Sequence, residues 1–167
     1  MISKQQATVG AQHAAPSRLS PHASRLIRSA RIAHLGTADR SGQPHVVPIC
    51  FACDGKYFYS PIDEKPKRTA PTKLKRLRNI GQNPQVSLLI DHYEEDWSKL
   101  AYVLITGKAR IVQRGQRHRR AVTLLRKKYP QYRRMAIDTR PMIMLTVKHI
   151  TVWLARWRPV RRLDRLG

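Results

Sequence analysis

The 167-residue sequence is poor in cysteine, and this scarcity excludes two classes of protein. Its two cysteines, Cys50 and Cys53, are too few for a small secreted scaffold held by disulfides. A single CxxC also lacks the second pair of ligands that structural zinc needs. Residues i and i+3 of a strand point to opposite faces, so we expect two separate core or surface thiols.

Long apolar runs and known catalytic motifs are missing as well. No stretch approaches the about 20 apolar residues of a membrane-spanning helix, and residues 1–20 contain no apolar core of a secretory signal. We therefore expect a cytoplasmic protein without a membrane partner. The sequence has no GxSxG, no HExxH and no Walker-type phosphate loop, so none of the chemistries tied to those motifs is indicated.

Acidic residues are scarce, whereas basic residues are abundant. Ten Asp and Glu stand against 33 Lys and Arg, which gives a formal net charge of +23. Such a charge attracts phosphates, acidic tails and anionic surfaces, and it is typical of nucleic-acid-binding proteins. The charge alone does not name the anion.

The remaining pattern predicts one domain with flexible ends. Residues 1–19 are polar and aperiodic and predict a disordered arm, and residues 157–167 predict a basic tail. Between them, residues 20–156 form the predicted domain. Ser20 and Pro21 predict the start of a short helix, because Ser is a good N-cap and Pro suits the first helical position.

Strands dominate the predicted domain. Three extended runs over about 31–62 predict a meander, with a hairpin at Asp54-Gly55. Within the later run 101–113, Gly107 predicts a bulge or a close backbone approach. The other predicted strands cover 85–91, 142–148 and 150–155, and the other predicted helices cover 73–80 and 115–128.

About seven strands joined mostly by short turns predict an antiparallel sheet. Their spacing favours a barrel over a doubly wound parallel sheet. The predicted fold class is therefore mainly β with short helices (α+β).

A basic segment, RTAPTKLKRLRNIGQNP, occupies residues 68–84. Thr72 is the predicted cap of a helix in this segment. Within that helix Leu74 and Leu77 form a narrow apolar stripe, and basic side chains flank the stripe. Basic residues beside a helix N-terminus favour a phosphate or carboxylate site. A solvated basic face and a helix lying on nucleic acid remain open interpretations, and the basic helix over 115–128 is a second nucleic-acid candidate.

Three ordered pieces of sequence carry a resemblance to a known family: RIAHLGTADRSGQPHVVPICFACDGKYFYS, TKLKRLRNIGQNPQVSLLIDHYEEDW and YVLITGKARIV. From about Ser24 to Ala155 the chain resembles the pyridoxamine-phosphate-oxidase-like superfamily of split β-barrel flavin and deazaflavin oxidoreductases. It is most similar to the branch that depends on coenzyme F420. The resemblance implies an antiparallel split β-barrel and a homodimer with the cofactor at the subunit interface.

The resemblance also implies residues that hold the cofactor phosphate. The basic pair that precedes the family's Asn-Pro motif falls on Lys75 and Arg76, and Asn79 matches an Asn of the deazaflavin branch. Lys73 matches no family residue, but its position beside this pair makes it a further candidate contact for the anion.

Three other positions match the family near the ring system and the dimer interface. Ser60 and Pro61 match the strand end whose backbone lies against the ring, and Trp97 matches a Trp often found near the interface. The segment between Ser60 and Lys75 is longer than in the flavin-dependent vitamin oxidases, which puts their phosphate register in doubt for this chain.

The implied function is an F420H2-dependent reductase that transfers a hydride between coenzyme F420 and a small unsaturated organic substrate. Because the cofactor carries out the hydride chemistry, we expect no catalytic side chain and no metal. One alternative is an FMN-dependent oxidase or a flavin carrier on the same fold. Another, from a different class, is a basic nucleic-acid-associated protein.

Overall fold

The structure is a computed structural model that describes residues 12–14, 19–63 and 74–155. In these ranges an antiparallel sheet carries three α-helices and two short 3-10 helices, Trp97–Lys99 and Pro130–Arg133. The strands are β1 (Gln12–Ala14), β2 (Ala33–Ala38), β3 (Pro44–Ile49), β4 (Ala52–Cys53), β5 (Tyr57–Pro61), β6 (Gln85–His92), β7 (Ala101–Val112) and β8 (Met142–Leu154). The helices are α1 (Pro21–Ser29), α2 (Lys75–Gln82) and α3 (Gln116–Lys128).

The chain path forces the sheet to curl. The strand order is β3-β2-β6-β7-β8-β5-β4, so β3 and β4 lie at opposite edges of the sheet. Only Cys50 and Phe51 separate these two strands in sequence. Three backbone steps span about 10 Å, so the two edges must lie close together. The sheet is a barrel split between β3 and β4, and the predicted antiparallel, mainly β fold is confirmed.

The meander predicted over 31–62 is wrong in one pairing. β2 pairs with β3 as expected, and β4 pairs with β5 in the predicted hairpin, where Gly55 has a φ of 90°. However, β5 pairs with β8 instead of β3. The cause is the break at Cys50-Phe51, where the Phe51 side chain enters the core and the chain crosses to the other edge.

The two last strands predicted on either side of Lys148-His149 are one strand, β8. It pairs with β7 along almost its whole length, with a register shift between Thr106 and Gly107. A Cβ atom on Gly107 would collide with the backbone oxygen of Thr146, so the bulge requires glycine. The bulge predicted at Gly107 is confirmed. It accounts for the register shift, so β8 continues through Lys148-His149, where two separate strands were predicted.

The helices follow the prediction except at the two ends of α2, which runs on to Gln82, two residues past its predicted end. Ser20 caps α1 by accepting a hydrogen bond from the backbone N–H of Ala23 at 3.2 Å, with Pro21 at the first helical position. α3 begins one residue after Gly115 and ends before Pro130, as expected. The first described helical residue of α2 is Lys75, and Leu74 before it provides no side-chain cap.

Some predicted features lie outside the described residues: Thr72 and Lys73, the basic tail 157–167, and most of the N-terminal arm. Strand β1 lies within the arm that was predicted to be disordered, and it pairs with residues 150–152 of β8. No helix in the described ranges is long and apolar enough to cross a membrane.

Two apolar cores meet at β5. Phe58 and Ile62 face the barrel interior, whereas Tyr57 and Tyr59 pack beneath α3. The cysteines separate in the same way, with Cys53 against the barrel core and Cys50 against the core beneath α3. The two thiols are therefore separate as expected, although the chain breaks at Cys50-Phe51 and they do not share one strand.

Candidate functional site

Helix α2 packs against β2 and β7, and a buried chain of hydrogen bonds fixes it there. The Asn79 side chain is 2% exposed, and its Nδ2 donates to Thr37 Oγ1 at 3.0 Å. The Thr37 hydroxyl in turn donates to the carbonyl oxygen of His45 at 3.3 Å. Asn79 therefore holds α2 on β2 and β3 and sets where the basic side chains of the first turn can reach.

Arg76 lies at the second position of α2 with a half-buried guanidinium. Its Nε is buried and has no hydrogen-bond partner among the described residues. Burial lowers the pKa of Arg76, and the nearby Asp63 carboxylate partly offsets that effect. A buried donor without an acceptor costs about 1–3 kcal/mol, so this nitrogen fits an anion that supplies the acceptor.

Lys75 and Arg76 extend a positive field over the β2–β3 end of the barrel. Burial, and then the charges of Lys75 and Arg76, lower the pKa of His45. The Ser41 hydroxyl chiefly holds the pKa of Asp39 below its usual range, and Lys75 adds to that effect. The pair therefore acts on the same end of β2 and β3 that Asn79 anchors.

Ser60 and Pro61 present little side chain to a ligand. Ser60 is 4% exposed and points into the barrel, where it lines a cavity of about 10 Å³ with Phe51 and Leu88 among others. Pro61 is buried opposite Met142 of β8. A ligand at this strand end would meet backbone, in keeping with the ring contact that the resemblance implies.

Trp97 lies apart from the other predicted residues within one protomer. It is 59% exposed and precedes β7, beyond the far end of β6. The eight residues of β6 separate it from the end of α2 by about 23 Å of strand. The structure thus brings Lys75, Arg76 and Asn79 together on α2, with Arg76 near Asp63 after the end of β5, but not Trp97.

Sequence reasoning missed Thr37, Asp63 and Tyr132. Thr37 belongs to the buried set of an alternating strand, and that alternation is the signal that could have placed it inside. The Tyr132 hydroxyl donates to Asp63 Oδ2 at 3.0 Å, and burial is the main reason that the pKa of Tyr132 is raised. No local pattern predicts this pair, because its members lie 69 residues apart.

The pyridoxamine 5'-phosphate oxidase family model matches residues 19–154, which contain the barrel, the described helices and every predicted site residue. No curated protein matches the sequence.

Solved structures share the fold at low identity. A conserved hypothetical protein from Mycobacterium tuberculosis has a TM-score of 0.66 at 19% identity, over 99% of this chain and 98% of that one. A heme storage protein from Vibrio cholerae has a TM-score of 0.66 at 17% identity, over 81% and 95%. A structure called an F420 reductase has a TM-score of 0.56 at 19% identity, over 79% and 98%. At these identities the likeness establishes the fold alone.

Proposed function

The chain belongs to the pyridoxamine 5'-phosphate oxidase family, and on that premise we propose that it is an oxidoreductase that uses coenzyme F420. The observation that carries the proposal is the buried, unpartnered Nε of Arg76 in the first turn of α2. A phosphodiester oxygen supplies the missing acceptor, and the helix N-terminus adds a partial positive charge.

Each residue of the site has a role in holding the cofactor. Lys75 and Arg76 bind the phosphate, with Lys73 as a further contact, and Asn79 positions the helix through Thr37. The backbone at Ser60 and Pro61 borders the ring system. When bound, the cofactor supplies the hydride that a small unsaturated organic substrate receives, so the protein needs only to bind, orient and exclude water.

Charge favours F420 over FMN. F420 carries a phosphodiester and a chain of glutamates, so it is more anionic than FMN along the path that leaves the site. A chain with a net charge of +23 suits such a ligand. FMN also presents a phosphate to Arg76, so a flavin-dependent oxidase or a flavin carrier is the alternative.

We also propose that the site is completed in a homodimer. The outer face of β2, β3 and β6 forms an open groove of about 550 Å³ that reaches Asn83 after α2. Val46 in this groove is 63% exposed, so it offers an apolar contact to a covering partner. We propose that a second copy covers this groove and contributes its Trp97 to the site.

Binding titrations of purified protein with F420 and with FMN test the cofactor. We expect F420 to bind, and Arg76→Gln to weaken binding by about 1.5–3 kcal/mol, roughly 10- to 150-fold, because a charged hydrogen bond is lost. Arg78→Gln is the matched control, since Arg78 is exposed on the same helix.

Micromolar binding of FMN without binding of F420 would replace the proposal with the flavin alternative. Equal losses in Arg76→Gln and Arg78→Gln would remove Arg76 from the phosphate site. Oxidation of F420H2 by a panel of conjugated acceptors then separates a reductase from a protein that only carries the cofactor.

A further inference from the structure

The exposed face of α3 concentrates positive charge away from α2, where the proposed cofactor site lies. Residues 108–140 contain 12 Lys and Arg but a single acidic residue, Asp138. That carboxylate is already in an ion pair with Arg126, at 2.8 Å. The segment therefore presents a concentration of positive charge with almost no neutralisation from within.

The helix displays this charge on a fixed platform. His118, Ala121, Val122 and Leu125 are buried, so the opposite side of the helix must face solvent. That side carries exposed basic and polar side chains: Gln116, Arg119, Arg120, Thr123 and Lys127. We call Arg119, Arg120 and Lys127 the basic face.

The neighbouring hairpin extends the basic face. The Arg117 guanidinium lies 4.1 Å from the centroid of the Tyr57 ring, and Lys56 Nζ lies 5.6 Å from the same centroid. The carboxylate nearest to them, Asp54, accepts hydrogen bonds from the backbone N–H groups of Lys56 and Tyr57 and from the Tyr59 hydroxyl. The ionised Asp54 also interacts electrostatically with Arg120, so it offsets part of the charge of the basic face.

Charge is segregated over the molecule. Four of the ten acidic residues fall within residues 91–96, before the start of β7, whereas α3 follows the end of β7. Twelve residues of strand separate the two regions by about 36 Å. The α3 end of the barrel therefore attracts an anionic partner more strongly than the end that carries residues 91–96.

We propose that the basic face of α3 binds the phosphodiester backbone of a nucleic acid without reading its sequence. Interfaces with nucleic acid are polar and strongly positive, whereas the centre of a protein–protein interface is apolar. The basic face contains no apolar side chain, and the exposed large hydrophobic residues that the structure describes lie elsewhere, at Ile32, Val46, Tyr93 and Trp97. For the same reason α3 cannot insert into a lipid surface.

Fluorescence anisotropy of a labelled duplex of arbitrary sequence, with the full chain and varied salt, tests the proposal. Separate DNA and RNA duplexes share the phosphodiester chemistry, and tight binding of either supports it. Arg120→Gln/Lys127→Gln should reduce the slope of log K against log salt by about 1.8, which is roughly a 60-fold loss at 0.1 M salt. Arg25→Gln/Arg28→Gln removes the same charge from exposed positions of α1 and should change affinity less than about twofold.

Three results would overturn the proposal: no duplex binding at 0.1 M salt, equal losses in the two double variants, or stronger binding to vesicles rich in phosphatidylserine than to either duplex. Circular dichroism and thermal unfolding confirm that both variants are folded. Titration of Arg120→Gln/Lys127→Gln with F420 distinguishes the basic face from the proposed cofactor site. We expect the affinity of this variant for F420 to equal that of the wild type.

Discussion

Lys128 carries a positive charge into an aromatic pocket between α3 and the barrel. Its Nζ lies 3.7 Å from the centroid of the Phe51 ring and donates to the carbonyl oxygen of Ile27 at 3.3 Å. Burial, and then the nearby Arg31, lower the pKa of Lys128 to about 8. The folded protein therefore releases this proton at a lower pH than the unfolded chain, whose lysines titrate near 10.5.

This difference predicts a stability that rises with pH. Between about pH 8 and 10.5 the unfolded chain binds the Lys128 proton more strongly, so the free energy of unfolding increases through that window. Lys128→Met keeps the length of the side chain but removes the titration, and it should flatten the rise by about 1–2 kcal/mol, since solvent still screens part of the ammonium.

Urea unfolding from about pH 7.5 to about pH 9.5 measures this effect, with Lys127→Met as the control at an exposed neighbour. The series stops below pH 10, because the pKa of Tyr59 and that of Tyr129 are both raised to about 12 and make stability fall at higher pH. Parallel pH curves for the wild type and Lys128→Met would refute the prediction.

At the proposed cofactor site the sequence could predict residue types but not their environments. The pair Lys75-Arg76 stood out by its charge and by its distance from the Asn-Pro motif. The buried Nε of Arg76 could not be foreseen, because it depends on α2 being held on β2 and β3 by the bonds from Asn79 to Thr37 and from Thr37 to His45. Burial is a property of the assembled barrel.

At the scale of elements, the bulge between β7 and β8 depends on one glycine. Gly107→Ala should destabilise the protein by about 1–3 kcal/mol, because its Cβ collides with the backbone oxygen of Thr146, which cannot rotate away. Gly81→Ala is the matched control: no atom lies within 4 Å of its Cβ position, and the site is helical. There alanine should be neutral or stabilising, by up to about 1 kcal/mol.

Chemical denaturation of the two variants compares these sites directly. Equal midpoints for Gly107→Ala and Gly81→Ala would show that the strands adjust to a methyl group at the bulge, against the prediction.

Individual elements were predictable where their signals are local. The Ser20 cap, the Asp54-Gly55 turn and the amphipathic pattern of α3 each act within a few residues, and the structure has all three. The pairing of β5 with β8 joins strands more than 80 residues apart, and only the closure of the whole sheet decides it. Local patterns therefore gave most strands but not their order.

At the scale of the whole molecule, the proposed homodimer makes the outer groove and the proposed cofactor site depend on each other. Only a second copy can bring a Trp97 to the cofactor, because the Trp97 of the same chain lies beyond the far end of β6. A substitution that prevents a second copy from covering the groove should therefore abolish dimer formation and lower the affinity for the cofactor at the same time. Val46→Lys places a charge in the groove, and Ile32→Lys is the control at another exposed apolar side chain, 52% exposed, outside the groove lining.

Light scattering coupled to size exclusion should give the wild type and Ile32→Lys about twice the 19.3 kDa mass of one chain. Val46→Lys should shift toward the mass of a single chain and lose most of its affinity for F420. A wild-type monomer that binds F420 as tightly as a dimer would contradict the shared site. It would leave Arg76 as the phosphate contact of a site contained in one chain, because the buried Nε does not depend on the partner.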